Sequence, residues 1–530
     1  MNLRQLLLSS RLIGGALLGV AVARPRRDGC CFGAARHSGV DSACPSTSLT
    51  MRVSMDSHTF QGRRTLLARL PDRLDSTVVH PHHVYPPLLL KLMEAVLRQH
   101  GGYEVRLIDA WRSRQDGDAL RGDITGWHPD VVVLLPHPVN PGDAMGLASA
   151  IRRTCPCFLV AVGPAVDLHQ EMFLAPDSPF DVALAGESEC EILALLTSLD
   201  KNGGEATRAA YRARGSTPLT VTDLDRLPFP TYSPDELDAY SYTSYPLRMT
   251  QAAKWGFLLS SRGCPHGCSF CSPVMRKTSG RAVRLRTVGN VVDEIEHLME
   301  SGVNVVSFED DDLTVRRDHV LSICREITRR RLAIRWICHA RVDELDPALL
   351  AEMKEAGCVL LRLGVESASD RILELFGKNP RNLPWRETCL SVFKAARGVG
   401  IATNALIIMG SPGETRAEAE RTIDFVLDLD PDMIQVHFFT LYPGSALHDD
   451  YRDVVSRDQL ARMHHYSLPV VNLSRMTLEE LWQIRSRCYK RFFFRASFLV
   501  RHAYFHGLFY LSNPRAVRHL SRVAGIIQAG

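Results

Sequence analysis

The stretch SSRGCPHGCSFCSP, residues 260–273, gathers Cys264, Cys268 and Cys271 into one loop, with three and then two residues between successive cysteines. Thiolates at this spacing can wrap a compact metal group, and Gly263 and Gly267, beside Pro265 and Pro273, let the backbone approach its sulfurs. A closed structural zinc site takes four ligands. His266 lies between the cysteines but is too tightly placed to complete a tetrahedron with all three. Iron–sulfur clusters are held by thiolates, one to each iron. Three cysteines for four irons leave one iron open to a small molecule; zinc stands as the alternative.

The bulk numbers limit what surrounds this loop. A chain of 530 residues is too long for one ordinary core, so at least two domains are expected. With 45% apolar and 23% charged residues the composition is that of a soluble globular protein. Net charge is only +4, and the basic residues are scattered rather than arranged in the stripe of a nucleic-acid binder. The 14 cysteines include only one tight cluster of three, unlike a secreted disulfide framework. Cys324, Cys338, Cys358 and Cys389 sit in apolar periodic segments and read as small buried hydrophobes.

Two runs of alternating strand and helix must position the loop. Over residues 63–200, TLLAR, YEVRLIDAW, HPDVVVLLP, CFLVAVGP and FDVALAG read as strands, and the Val/Leu runs suit parallel strands buried on both faces. PPLLLKLMEAVLRQHG, with Pro at its start and Gly at its end, reads as a helix between the first two. This is an α/β, doubly wound, Rossmann-like or flavodoxin-like domain whose ligand site lies outside the strand C-termini. Residues 201–255, rich in Pro, Ser, Thr and Tyr, read as a linker. Six further strand–helix units over 256–445 make a partial (β/α)6 barrel, and polar groups cluster just after each strand, where barrels keep their chemistry. Residues 446–530 read as a helical C-terminal region, in which RFFFRASF would pack on the barrel or line a hydrophobic path.

CPHGCSFC resembles the C-x3-C-x2-C signature of radical S-adenosylmethionine enzymes, with Phe270 at the usual aromatic position. FEDDDL, ARVDEL, GVESASDRIL and IIMGSPGET at the ends of later strands carry the resemblance further. It implies a [4Fe–4S] cluster on Cys264, Cys268 and Cys271, with S-adenosyl-L-methionine chelating the open iron. Glu366 would accept from the ribose hydroxyls or the ammonium, Asp310 and its acidic neighbours would offer acceptors, and Arg341 would pair with the carboxylate. Gly410 and Gly413 would let a backbone edge approach the adenine.

The front domain resembles the cobalamin-binding domain of one large subclass, through HPDVVVLL, VAVGPAV and DVALAGESECEIL. The resemblance implies cobalamin contacts from Asp109, Trp111, Gly163 and Glu187. Trp111 stands where a cobalt-ligating His would, so a ring that covers the lower face is expected in place of a ligand. Ser188 replaces a glycine of the related G-E-G-E segment, and His137 is a further strand-end candidate. The implied activity is methyl transfer from methylcobalamin to an unactivated carbon of a small molecule, with Tyr442 or an Asp to take a proton. A radical cyclase, oxidase or rearrangement enzyme of the same architecture is the alternative. An external flavodoxin- or ferredoxin-type electron donor is implied, with no nucleic-acid partner and no membrane span. Residues 1–55 imitate a secretory leader, yet such a cluster is assembled in a cytosol. Residues 1–55 are therefore expected to be a disordered leader or, preferred, the product of an upstream start with Met51 or Met55 as the true beginning, and a cytoplasmic location is expected.

Overall fold

Leu66, Leu67 and Ala68 have no exposed surface in β1 (Arg63–Arg69), as a strand covered on both faces requires. The structure is a computed structural model that describes residues 62–71, 86–138, 141–215, 217–240, 253–271, 279–456, 459 and 469–501, all within the unit Thr59–Gly530. The leader, residues 241–252 of the expected linker, Pro273 and the tail from 502 lie outside the described residues. The helix Leu88–His100 follows Pro87 and buries Leu90, Met93, Val96 and Leu97 before Gly101 ends it at φ 67°. Strands β2 (Tyr103–Asp109), β3 (Val131–Leu135), β4 (Phe158–Val162) and β5 (Val182–Leu184) complete a parallel sheet of order β2-β1-β3-β4-β5. That is the flavodoxin-type order, not the classical Rossmann one, and its switch point lies between β1 and β3.

Two segments differ from the sequence reading. A helix at Gly117–Trp127, capped by Asp116, lies between β2 and β3; Gly117, Gly122 and Gly126 dilute its apolar period. Within the expected linker, the helix Glu191–Arg214 runs on past a break at Gly203 (φ 76°), and Ser233 and Glu236 form a capping box for Pro234–Ala239.

The second sheet carries the cysteine loop. After β6 (Trp255–Leu258) comes a short antiparallel ribbon, β7 (Ser261–Arg262) with β8 (Arg284–Leu285). Strands β9 (Val305–Phe308), β10 (Arg335–Ala340), β11 (Cys358–Glu366), β12 (Ala402–Met409) and β13 (Met433–Phe438) then pair in parallel, in the order β6-β9-β10-β11-β12-β13. All six expected strands are present, and β6 and β13 are the sheet's edges. Cys324, Cys338, Cys358 and Cys389 are buried in its core. The helix Leu478–Phe493 covers the β13 edge, where the Val436 amide donates to the Tyr489 hydroxyl at 3.1 Å. Phe492 and Phe498 pack into the same core.

Buried ion pairs tie the front sheet to the ribbon. Glu187, just past β5, accepts from Arg284 at 2.8 Å and from the Val221 amide at 2.6 Å, with Arg262 3.6 Å away. Glu189 takes Arg262 at 2.7 Å. Burial works against the charge of Glu187, but Arg284, Arg262 and the amide outweigh it and hold the carboxyl below its ordinary range. Replacing Glu187 by Gln leaves the buried Arg262 and the half-buried Arg284 guanidinium groups short of a counter-charge. The expected loss is about 3 kcal/mol of stability, read as a lower urea midpoint in circular dichroism.

Candidate active site

The cysteine loop is shaped by close backbone approach. Gly263 adopts φ 100°, and a Cβ there would lie 2.3 Å from the Ala282 carbonyl oxygen, so only glycine fits. The Cys264 amide donates to the Gly280 carbonyl at 3.3 Å. Farther along, Ser269 donates through its amide to Phe376 O at 2.9 Å and through its hydroxyl to Leu375 O at 2.6 Å. The Phe270 ring lies 4.5 Å from Phe376, which stacks on Phe439 at 6.1 Å. Both ends of the three-cysteine segment are thus anchored to other chain segments.

Cations surround it. Arg341 donates to the Cys268 sulfur at 3.6 Å; its other nitrogens take Asp343 at 3.0 and 3.1 Å and the Lys378 carbonyl at 2.7 Å. The buried Lys378 ammonium pairs with Glu366 at 3.0 Å. This pair fills the space over Gly364, where a Cβ would meet the Glu366 carboxylate at 2.4 Å and the Lys378 nitrogen at 2.6 Å. His266 turns its Nε2 toward Glu344 at 3.0 Å and Asp312 at 3.3 Å. Asp312 first and Glu344 next raise its pKa to about 9 against the cost of burial, so the ring is cationic at neutral pH. Burial, with Asp312 and Asp311 nearby, pushes the Cys264 thiol up to about 11, so a metal must displace its proton.

The structure brings Cys264, Cys268, Cys271, Phe270, Arg341 and Glu366 together, but several carboxylates expected at a ligand are otherwise engaged. Asp310 accepts from the Ser260 amide at 3.0 Å and the Ser260 and Ser261 hydroxyls at 2.7 and 2.5 Å, so it fixes the start of the cysteine loop. Its neighbour Asp311 is held up at about 6, by burial first and then by Asp310. Arg341 serves Asp343 and a cysteine sulfur, where a carboxylate clamp was expected. Gly410 (φ 83°) and Gly413 (φ 67°) bracket a turn closed by Glu414, which accepts from the Gly410 and Ser411 amides at 2.6 and 3.0 Å. Tyr442 packs beside Phe439 and Leu441.

On the front sheet, Asp109 takes Arg69 through two bonds of 2.8 and 2.6 Å and the Tyr240 hydroxyl at 2.6 Å. Trp111 lies under the Arg69 guanidinium at 4.6 Å. Gly163 (φ 87°) admits the Leu135 side chain, which a Cβ would meet at 2.5 Å. The carboxylates of Asp109 and Glu187, expected at the cofactor, are therefore committed to arginines: they brace the rim. Among the described residues the Ser188 hydroxyl and one Glu189 oxygen are buried without a hydrogen-bond partner.

Sequence reasoning missed Lys378 and a polar row across the barrel strands. His339 pairs in register with Arg362, and Arg362 with Asn404; Arg362 lies 3.2 Å from the His339 Nε2 and 3.8 Å from Glu309. Burial first, and then Arg362, lowers the His339 pKa to about 3, so the ring stays neutral. A lone Arg in the apolar strand CVLLRLGVE was the available signal.

The description of the Radical SAM superfamily matches residues 258–426, from β6 to the helix after β12. The chain thus carries a Radical SAM domain over these residues. It is 28% identical over 451 residues to an uncharacterized methyltransferase of Pyrococcus horikoshii, an alignment that covers 83% of this chain and 94% of the relative. It is also 28% identical to the anaerobic magnesium-protoporphyrin IX monomethyl ester cyclase of Rubrivivax gelatinosus, over 78% of this chain and 75% of the cyclase. The fold is similar to that of the radical S-adenosylmethionine methyltransferase TsrM from Kitasatospora setae, solved with cobalamin and a [4Fe–4S] cluster. The TM-score is 0.58 at 19% identity, over 74% of this chain and 75% of TsrM.

Two outcomes are expected of this geometry. A Gly263→Ala variant should retain less iron and sulfide after anaerobic reconstitution than the parent, with unchanged far-ultraviolet circular dichroism. Glu414 has its pKa raised from 4.5 to about 7, chiefly by burial. A carboxyl raised on folding contributes stability that is complete below its unfolded pKa and lost as pH rises through the folded one. Urea midpoints of the parent should therefore fall between pH 4.5 and 7, a decline that Glu414→Gln should flatten.

Proposed function

We propose that the chain is a cobalamin-dependent radical S-adenosylmethionine methyltransferase that methylates an unactivated carbon of a small molecule, a natural-product intermediate in the fullest form of this reading. The donor set of the 264–271 loop carries it. The loop offers three thiols, and its one histidine is turned to Asp312 and Glu344 and away from a fourth ligand position. That set suits a [4Fe–4S] cluster with one open iron better than a closed zinc site. Cys264, Cys268 and Cys271 would hold the cluster. Glu366, Asp311 and the Gly410–Gly413 turn stand on the same strand-end rim for S-adenosyl-L-methionine. The flavodoxin-type switch point would receive cobalamin, with Trp111 at its rim and the unpartnered Ser188 hydroxyl as a buried polar contact.

Bound together, these groups supply hydrogen-atom abstraction and a transferable methyl group. The chain positions them and excludes water. Arg341 and Lys378 place positive charge beside Cys268, His266 pins the loop to the ends of β9 and β10, and Phe270, Phe376 and Phe439 form an apolar wall. No side-chain base is required at the carbon. A flavodoxin- or ferredoxin-type donor would supply the electron in the cytoplasm. The similarity to a cyclase supports a second reading, in which the same scaffold closes a ring without methyl transfer.

The test is product counting on the anaerobically reconstituted full chain, given S-adenosyl-L-methionine and a strong reductant with or without hydroxocobalamin. Both 5′-deoxyadenosine and S-adenosylhomocysteine should form, the second only with hydroxocobalamin, and Cys268→Ala should reduce 5′-deoxyadenosine to the reagent blank. Formation of 5′-deoxyadenosine with no cobalamin-dependent S-adenosylhomocysteine would transfer the assignment to the non-methylating reading.

A further inference from the structure

We propose that His266, Asp312 and Glu344 form a site for one divalent first-row metal ion, separate from the cysteines. His266 Nε2 lies 3.0 Å from Glu344 Oε1 and 3.3 Å from Asp312 Oδ2, and one ligand atom from each of the three residues falls within 4.8 Å of the others. Imidazole nitrogens and carboxylate oxygens bind such ions at about 2.1 Å, which sets neighbouring ligand atoms about 3.0–3.4 Å apart. The two spacings measured from the His266 ring are those of ligands around an ion. A hydrogen-bonded ion pair accounts for them less well. His266 Nε2 and Asp312 Oδ2 are both buried without a hydrogen-bond partner, and the Asp312 side chain is only 4% exposed. A buried carboxylate oxygen without a donor calls for a cation at that point.

Neighbouring groups hold these atoms in place. Thr314 donates through its amide to Asp312 Oδ1 at 3.1 Å, and its hydroxyl lies 2.8 Å from that oxygen and 2.8 Å from Glu344 Oε2. Each carboxylate thus has one oxygen tied to Thr314 and the other turned to His266, the way outer partners orient metal ligands. Asp312 comes just after β9, Glu344 lies in the turn after β10 and His266 belongs to the cysteine loop, so an ion here joins three separate segments. Two carboxylates balance the charge of a dication, and with one imidazole they suit Mn2+, Fe2+ or Zn2+. The ion takes the place of the imidazole proton, since a ligating ring is neutral. His266, Thr314 and Glu344 also line an open cleft of about 490 Å³, beside Arg317, Asp343 and Arg381. The cleft gives an ion its way in and leaves room for water, or for an oxygen of a small molecule, at the remaining positions.

The test is titration of Mn2+ into the full chain, with its cluster reconstituted and loose metal removed by a chelator and desalting. Electron paramagnetic resonance counts the ion left free. The parent should bind one Mn2+ per chain. Asp312→Asn and Glu344→Gln should each weaken that binding by about tenfold or more, the loss that removal of even an outer partner brings. The visible absorbance of the cluster and the far-ultraviolet circular dichroism of both variants should match the parent's. A parent that binds no Mn2+, or a variant that binds it equally well, overturns the proposal. So does weaker binding that merely accompanies loss of the cluster, which would mean that the two carboxylates hold the cysteine loop without an ion. The titration contains no S-adenosyl-L-methionine, so its outcome is independent of the methyl-transfer reading.

Discussion

Once a metal displaces their protons, three thiolates within one loop would repel each other, and burial raises the cost. Arg341 at the Cys268 sulfur and Lys378 behind it place positive charge on one side of the loop, while His266 is matched by two carboxylates. Each cation needs its own support, and that need accounts for much of the barrel rim. Asp343 orients Arg341 and is in turn held by Arg381 at 2.6 Å; Glu366 balances Lys378, and Gly364 leaves that pair its room. The rim is a charge network built around the cysteines before any ligand is considered.

The same balance of charge accounts for the placement of several acidic residues at strand ends. Asp310 closes on Ser260 and Ser261, Asp109 on Arg69 and Tyr240, Glu187 on Arg284 and Arg262. These contacts set the register of the cysteine loop and join the two sheets. Outside these pairs stand Asp311, the glycine turn after β12, and the rim around Trp111 and Ser188. The front sheet matters to the cysteine loop because Arg262, which Glu187 and Glu189 hold, ends one strand of the ribbon immediately before Gly263.

Much of this was legible in the residues. Continuous Val/Leu runs announce β3 and β4, and the cysteine spacing announces the metal loop, because both are local patterns. The helix Gly117–Trp127 was not legible, since three glycines break its period and its cap, Asp116, is one polar residue among many. The partners of Asp310 and Glu187 were not legible for a different reason. Glu187 meets Arg284 across 97 residues of sequence, and Asp310 meets Ser260 across 50, so tertiary packing decides which carboxylate is committed. Arg362 could have been noticed, because a charge in an otherwise apolar strand must face an interior polar partner.

The most direct test of the open iron is Mössbauer spectroscopy of full-length protein reconstituted with iron-57, before and after S-adenosyl-L-methionine is added. Three cysteine-bound irons and one that accepts the added ligand should give one quarter of the signal a distinct, shifted site on addition. Four equivalent irons that ignore the ligand, or a loop that takes up zinc in preference to a cluster, would contradict the account.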